Sequence, residues 1–148
     1  MKKPVLPTTI FFSIALFVFL FDQLTKILVR EKIEYGTSIS IIPNILYFTH
    51  ASNTGASFSI LTSYGFLLGI ISAVVILGIV FFYKKIPENY RLPFALILGG
   101  TAGNFCDRIF FGHVTDFIDV RIWPIFNVAD SAISIAAVLL LIIVWKER

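Results

Sequence analysis

The sequence predicts an all-α membrane protein of four transmembrane helices with a small β-sheet on its outer side. Composition is the first indication, because 57% of the 148 residues are hydrophobic and 14% are charged, whereas a soluble domain carries roughly 25% charged residues. The second is a series of long apolar segments, each close to the ~20 residues that a bilayer core requires. No linker or internal repeat divides the chain, so one domain, residues 1–148, is expected.

Four segments are predicted to span the membrane: about 9–29, 64–83, 92–111 and 128–145. The first begins like a secretory signal peptide. It is longer than such a peptide, has no small-residue cleavage site and ends in the charged sequence from Asp22 to Lys26. An uncleaved first span is therefore the better interpretation.

The basic residues outside the spans predict the orientation of the chain. Seven of them share one side of a four-span bundle: Lys2, Lys3, Lys84, Lys85, Arg91, Lys146 and Arg148. Because cytoplasmic loops carry the excess of Lys and Arg, both termini are predicted to be cytoplasmic. The outer loops are then residues 30–63 and 112–127.

The first outer loop is predicted to form a small sheet or hairpin, because β-prone sequences lie at 39–41 and 45–48. The sequence from Asn53 through Gly55 to Ala56 is typical of a turn, and residues 57–61 are predicted to form a short interfacial helix. Asn53 and Gly55 could offer an amide and a tight turn at the rim of a site, or simply make a loop turn.

Polar residues of three spans fall at one depth in this arrangement. Measured from the cytoplasmic end of each span at 1.5 Å per residue, Asp22 lies roughly 20 Å up the first span, Asn104 and Asp107 about 18–22 Å up the third, and Asp130 about 23 Å up the fourth. They form a layer just beneath the outer face. Since ionisable residues inside a membrane are functional candidates by default, this layer is the predicted site.

Asp116 and Asp130 are the predicted catalytic pair. Two carboxylates in a poorly solvated site cannot both ionise easily, so the pair holds one proton. The ionised member can then deprotonate a water while the protonated member polarises a carbonyl. The alternative is that Asp130 only stabilises the N-terminus of the fourth span through the helix dipole, and the spacing alone does not separate the two.

Two further pairs lie on single helix faces. Asn104 and Arg108 are four residues apart and could hold a peptide backbone or a lipid phosphate, or Arg108 could pair with an aspartate for structure alone. Asp22 and Lys26 have the same spacing and suggest an ion pair, which could also tie the first span to the site or bind a lipid headgroup. Asp107 is predicted to be a capping or pairing residue.

Gly99 and Gly103 form a GxxxG motif that favours close packing of helices in lipid. As a phosphate-binding loop the motif fails, because no strand precedes it and no Lys-Ser/Thr follows it. Ser131 and Ser134 head the fourth span, but Lys26 is the one lysine at matching depth, so a Ser/Lys nucleophile is a minor alternative.

No metal or other cofactor is expected. Cys106 is the one cysteine in the chain, and His50 and His113 have no ligand partners at metal-binding spacing. The net charge of +3 comes without a basic patch interleaved with aromatic residues, so no nucleic-acid partner is expected.

Three classes of function are compatible with buried polar groups in a bundle: a peptidase, a proton-coupled transporter or channel subunit, and a non-catalytic assembly or lipid-binding protein. A transport path would continue toward the cytoplasmic side. The inner halves of the predicted spans are nearly free of ionisable residues, which argues against transport. Helix packing through GxxxG would suffice for the third class.

Five motifs in order make the chain resemble the lipoprotein signal peptidase (signal peptidase II) family of bacteria. They are Asp22-Gln-Leu-Thr-Lys26, Asn53-Thr-Gly55-Ala-Ser-Phe58, Gly99-Gly-Thr-Ala-Gly103-Asn104-Phe-Cys-Asp107-Arg108, Val114-Thr-Asp116-Phe117-Ile-Asp119 and Phe126-Asn127-Val-Ala129-Asp130-Ser131. The resemblance covers nearly the whole chain.

The resemblance implies an aspartyl endopeptidase of the inner (cytoplasmic) membrane. It would cleave diacylglyceryl-modified prolipoproteins before the lipidated Cys, with Asp116 and Asp130 as the catalytic dyad. It also implies an extracellular β-cradle, membrane lipids as neighbours, a monomeric enzyme and an active site near the outer face. Pocket-lining and supporting residues follow from the same motifs: Asn104, Arg108, Asn127, Asn53, Gly55, Asp22 and Lys26.

Two departures from the family pattern stand out. The stretch between the two catalytic blocks is shorter than in many members, which affects the expected shape of the outer loop. Thr115 stands where Val is common, and its hydroxyl, one residue from Asp116, is expected to alter the hydration of that carboxylate.

Overall fold

The computed structural model describes residues 7–54 and 65–148. Within these ranges the chain forms four α-helices, three strands and two short 3-10 turns. The helices are α1 (Thr8–Lys32), α2 (Gly65–Phe82), α3 (Arg91–Phe111) and α4 (Val128–Lys146). The strands are β1 (Ser38–Ile42), β2 (Leu46–Asn53) and β3 (Val114–Asp119). The predicted start of the second span at 64, the predicted interfacial helix at 57–61 and Gly55 lie outside the described residues.

Three of the described helices are long and apolar enough to cross a membrane: α1, α2 with its continuation to Lys85, and α4. Helix α3 lies at the third predicted span but is less apolar, since its second half contains Asn104, Asp107 and Arg108. Three candidate spans are therefore found where the sequence predicted four. The polar residues that place α3 at the centre of the site are also those that lower its hydropathy.

Helix α3 packs between α1 and α4 through its glycines. A methyl group on Gly100 would lie 2.6 Å from the carbonyl oxygen of Ala129, and one on Gly99 would overlap the carbonyl oxygen of Ala15. A larger side chain at either position would push the helices apart. The predicted role of the GxxxG motif in helix packing is confirmed by these contacts.

The sheet is antiparallel in the order β1-β2-β3. The hairpin of β1 and β2 lies in the loop where the sequence predicted it. The third strand was not predicted, because residues 112–127 were expected to be a loop. Asn53 is the last residue of β2 and lies opposite Val114 of β3, while the rest of the turn predicted from Asn53 to Ala56 continues beyond the described residues.

The sheet is attached to the C-terminal end of α1 by a small apolar cluster. Val29, Ile33 and Phe117 are buried together, and the rings of Phe48 and Phe117 meet edge to face with centroids 5.7 Å apart. Because successive side chains of a strand point to opposite faces, burying Phe117 in this cluster turns its neighbour Asp116 to the other side of β3.

Candidate active site

Asp116 and Asp130 reach the site from different elements. Asp116 lies on β3 and is 3% exposed. Asp130 is half-buried in the first turn of α4, where it forms a capping box with Asn127. The backbone N–H of Asp130 donates to Asn127 Oδ1 (2.9 Å), and the backbone N–H of Asn127 donates to Asp130 Oδ2 (3.3 Å). Asp130 therefore caps the N-terminus of α4, as the alternative interpretation predicted, and also lies beside Asp116.

Asn127 connects the two carboxylates. Its Nδ2 donates to Asp116 Oδ1 (2.7 Å), while its backbone and Oδ1 hold Asp130 in the capping box. The side chain is fully buried, and both ends of its amide have partners. A buried amide with every group satisfied cannot rotate without losing hydrogen bonds, so Asn127 fixes the two carboxyl groups relative to each other.

Asn104 of α3 forms a second connection. Its Nδ2 donates to Asp130 Oδ1 (2.8 Å), and its Oδ1 accepts from Asn127 Nδ2 (3.2 Å) and from Lys26 Nζ (2.8 Å). Because the ammonium group of Lys26 can only donate, it requires the oxygen of Asn104 on its side. The NH₂ group of Asn104 is thereby directed toward Asp130.

Lys26 lies at the centre of a buried ionic cluster. Its Nζ is 2.8 Å from Asp22 Oδ2 and 3.4 Å from Asp107 Oδ2, and all three side chains are fully buried. The Asp22–Lys26 ion pair and the pairing role of Asp107 are confirmed. The cluster also ties α1 to α4, because Asp22 Oδ1 accepts from the backbone N–H of Ala129 (2.8 Å).

The carboxyl group of Asp116 has an unusual proton affinity. Burial, followed by the negative charge of Asp130, raises the pKa of Asp116 to about 7, against the opposing effect of hydrogen bonds from Asn53 and Asn127. The Asn53 bond joins Nδ2 to Asp116 Oδ2 at 3.1 Å, so both oxygens of Asp116 accept amide N–H groups. A carboxyl group of this kind exchanges its proton near neutral pH.

Two cavities flank these residues. One of about 520 Å³ has Asp130 in its wall and is otherwise lined mainly by Trp123, Phe126 and Ser131. The other, about 420 Å³, lies between α2 and α3 and includes Arg108, whose Nη1 donates to the carbonyl oxygen of Asn104 (3.4 Å). A larger cavity of about 770 Å³ at the opposite end of α4 contains none of the predicted site residues.

Three residues that the sequence analysis did not assign to the site contribute to it. Gln23 Nε2 donates to Asp107 Oδ1 (3.3 Å) and to the carbonyl oxygen of Gly103 (3.1 Å). Arg30 Nη1 donates to Thr115 Oγ1 (2.9 Å). The hydroxyl of Thr115 is thus bonded to Arg30, on the opposite side of β3 from Asp116, and its expected effect on the hydration of Asp116 stays a prediction. Gln23 directly follows Asp22, and Arg30 lies four residues after Lys26. These spacings from two predicted site residues were visible in the sequence.

No group of three or more His, Cys, Asp or Glu side chains suited to a metal ion occurs in residues 7–54 and 65–148. His50 instead has its Nδ1 2.8 Å from the carbonyl oxygen of Ile33. The described carboxylates of the site are in contact with Lys26 and Arg30 and accept amide N–H groups.

Comparison with known proteins agrees with this arrangement. The model of the family described as signal peptidase (SPase) II matches residues 14–146. The lipoprotein signal peptidase of Halothermothrix orenii is 41% identical over 139 residues, covering 93% of this chain and 96% of that protein. That of Halalkalibacterium halodurans is 43% identical over 147 residues, covering 94% of each.

Two solved structures of bacterial membrane enzymes have a similar fold. A bacterial membrane enzyme determined by the in meso method at 2.3 Å has a TM-score of 0.91 and 32% identity, and covers 99% of this chain and 94% of that one. A second, at 1.9 Å, has a TM-score of 0.87 and 34% identity over 100% of this chain and 99% of that one. Similarity of this extent in both sequence and fold shows that the chain belongs to the lipoprotein signal peptidase (signal peptidase II) family.

Proposed function

We propose that this chain is an aspartyl endopeptidase that removes the signal peptide from diacylglyceryl-modified prolipoproteins, cleaving before the lipidated Cys. The family assignment makes it a membrane protease of lipoprotein processing. The catalytic class rests on one observation: the Asn127 amide contacts Asp116 Oδ1 while the Asn127 backbone and Asn104 contact the two oxygens of Asp130. Two carboxyl groups are thus held at one site by shared amides.

The two carboxyl groups have different surroundings and therefore different roles. Asp116 is almost completely buried and holds a proton up to about pH 7, so it is the acid. Asp130 receives N–H groups from Asn104 and Asn127 and lies at the N-terminal end of α4, where the helix dipole favours negative charge. Asp130 also faces the 520 Å³ cavity, from which a water can reach it, so it is the base.

Hydrolysis then proceeds with a balanced exchange of protons. Asp130 accepts a proton from water as the oxygen attacks the scissile carbonyl carbon, and Asp116 donates its proton to the carbonyl oxygen. The tetrahedral diol collapses when Asp130 passes its proton to the leaving amide nitrogen and Asp116 recovers a proton from the diol. The C–N bond breaks, and both carboxyl groups return to their starting states.

The remaining site residues position the substrate or the dyad. Arg108 lines the cavity between α2 and α3, whose other walls are apolar, so its guanidinium is placed to bind substrate carbonyl oxygens beside a lipid chain. Asn53 donates to Asp116, and we assign it with Asn104 and Asn127 to positioning the dyad. Asp22 and Lys26 support Asn104, and Gly55 follows Asn53 in the family motif.

We further propose that α3 is a fourth span, that both termini are cytoplasmic and that the site lies near the outer face of the bacterial inner membrane. Helix α3 has 21 residues, which corresponds to about 32 Å. Its polar side chains are bonded inside the bundle rather than facing lipid. The enzyme is a monomer surrounded by membrane lipids. A reporter enzyme that works only in the cytoplasm should be active when it is fused to the C-terminus. Activity of a reporter that works only outside the membrane would refute this topology.

The catalytic proposal is tested with Asp116→Asn and Asp130→Asn, assayed on a diacylglyceryl-modified prolipoprotein in liposomes. Each variant should lose at least about 10³-fold in kcat, since removing a member of a catalytic unit typically costs 10³-fold or more. Asp119→Asn is the matched control, because Asp119 lies on the same strand but bonds Thr49 and Arg121 instead. A folded Asp116→Asn or Asp130→Asn variant with wild-type turnover would end the proposal.

A further inference from the structure

Thr115 is held at three atoms by three different helices. Its backbone N–H donates to Asp107 Oδ2 of α3 (2.9 Å), and its carbonyl oxygen accepts from Nδ2 of Asn127, the N-cap of α4 (3.3 Å). Its Oγ1 accepts from Arg30 Nη1 of α1 (2.9 Å). The residue is fully buried, so none of these bonds is replaced by water. Thr115 is therefore one of the residues that fix β3 to the helical bundle, and its bonds reach α1, α3 and the N-cap of α4.

The guanidinium of Arg30 is itself well fixed. Its Nη1 lies 3.5 Å from Asp107 Oδ1, and its Cζ lies 4.4 Å from the centroid of the Phe111 ring. A planar guanidinium stacked on an aromatic ring and paired with a carboxylate loses little further freedom when it donates to a third group. The Arg30–Thr115 bond is therefore a rigid link between α1 and β3.

We propose, resting on the aspartyl dyad assigned above, that Arg30 and Thr115 are positioning residues for the reaction. Neither touches the scissile bond. Their hydrogen bond sets the position of β3 across the bundle, and through the backbone of the next residue it sets the distance between the carboxyl groups of Asp116 and Asp130. A hydroxyl one residue before the catalytic Asp116 thus acts through Arg30 rather than on the reacting water.

Because charged groups surround β3, a change in the distance between Asp116 and Asp130 should change the pH dependence of turnover. Charged groups approach the strand from three helices, while β2 contributes the neutral amide of Asn53. Among the described residues they are Lys26 and Arg30 from α1, Asp107 and Arg108 from α3, and Asp130 from α4. If β3 moves away from α4, the repulsion between Asp116 and Asp130 falls, so Asp116 loses its proton at lower pH.

The experiment compares Thr115→Val with Thr115→Ser on the full-length enzyme in liposomes. Valine keeps the shape of threonine and removes the hydroxyl, whereas serine keeps the hydroxyl. For Thr115→Val we expect kcat to fall on the order of tenfold with KM unchanged, and the basic limb of the kcat–pH profile to shift to lower pH. Thr115→Ser should recover the wild-type profile.

Two further variants connect the effect to this bond. Arg30→Met removes the same hydrogen bond from the other side, and the double variant with Thr115→Val should lose less than the two single losses multiplied together. Thr49→Val is the control, because the hydroxyl of Thr49 also makes a side-chain hydrogen bond within the same sheet, donating to Asp119 Oδ2 at 2.9 Å, but has no contact with Arg30 or the dyad among the bonds described. Its kcat–pH profile should match wild type.

The outcomes separate this inference from the catalytic proposal. If Asp116→Asn retains turnover, the dyad fails, whatever Thr115 does. If Asp116→Asn is inactive but Thr115→Val has wild-type kcat and an unshifted basic limb, the positioning role is overturned and the dyad stands. If Thr115→Val does not fold, Arg30→Met decides: an unshifted profile overturns the role, and a shift to lower pH supports it.

Discussion

Replacing Lys26 by methionine is the sharpest test of what holds the bundle together. Methionine keeps most of the length and apolar volume of the side chain and removes its charge. Three contacts disappear: 2.8 Å to Asp22 Oδ2, 2.8 Å to Asn104 Oδ1 and 3.4 Å to Asp107 Oδ2. Asp22 and Asp107 are fully buried, so water cannot solvate their charges when the ammonium group is removed.

The expected loss follows from this geometry. Breaking a buried ion pair by removing one partner costs about 3–5 kcal/mol. Asp107 still has Arg30 and the backbone N–H of Thr115, whereas Asp22 is left without a cation among the described residues, so most of the cost arises at Asp22. For a chain of this size the loss lowers Tm by roughly 10 °C or more.

The assay is thermal unfolding in detergent micelles, followed by a thiol-reactive fluorophore on Cys106, the one cysteine of the chain. Lys84→Met is the matched control, because Lys84 is exposed and should change stability by less than about 0.5 kcal/mol. Adding Asp22→Asn to Lys26→Met should recover about 1–2 kcal/mol, since it removes the carboxylate left without a cation. A Lys26→Met variant that melts with wild type, or a double variant less stable than the single one, would refute the reasoning.

Four further outcomes are expected. The pKa of Asp116 is raised from 3.8 to about 7, so the folded state binds this proton more tightly than the unfolded state does. The free energy of unfolding therefore falls by up to about 4 kcal/mol as pH rises from about 4 to above 7. Asp116→Asn should unfold at a higher temperature than wild type at pH 8 but not at pH 4. Gly99→Ala should cost at least about 2 kcal/mol by separating α1 and α3, whereas Gly78→Ala, with open space at its Cβ, should unfold no more easily than wild type. Asn127→Ala should lower kcat by at least about 100-fold and destabilise the start of α4 by about 1–2 kcal/mol, measured by turnover and thermal unfolding. A chelator should leave turnover unchanged, and inhibition that added metal reverses would contradict water activation by the dyad.

The helical part of the fold could be predicted because its determinants are local. Runs of apolar residues define the helices, and the i,i+4 spacing of Asp22 and Lys26 places both on one helix face. The rise per residue of a helix was likewise sufficient to predict that Asp22, Asn104 and Asp130 lie together, and the structure connects them through Lys26 and Ala129.

The third strand could not be predicted with the same reasoning. Val114–Asp119 shows the alternation of a strand, but its partner, β2, is about sixty residues earlier in the chain, as in the pairing of Ala51 with Asp116. Strand pairing at such a separation depends on tertiary contacts that the sequence does not display. The Arg30–Thr115 bond, which spans 85 positions, was missed for the same reason, as was the continuation of β2 to Asn53.

The cluster around Lys26 bears on the order in which the helices enter the bilayer. Asp22 and Lys26 belong to the same helix, so they can neutralise each other as soon as α1 leaves the translocation machinery. Asp107 has no such companion one turn away within α3, and its cations, Lys26 and Arg30, are both on α1. With α3 as the fourth span proposed above, membrane insertion is therefore favoured when α1 is already in the bilayer and α3 packs against it during or soon after its own insertion.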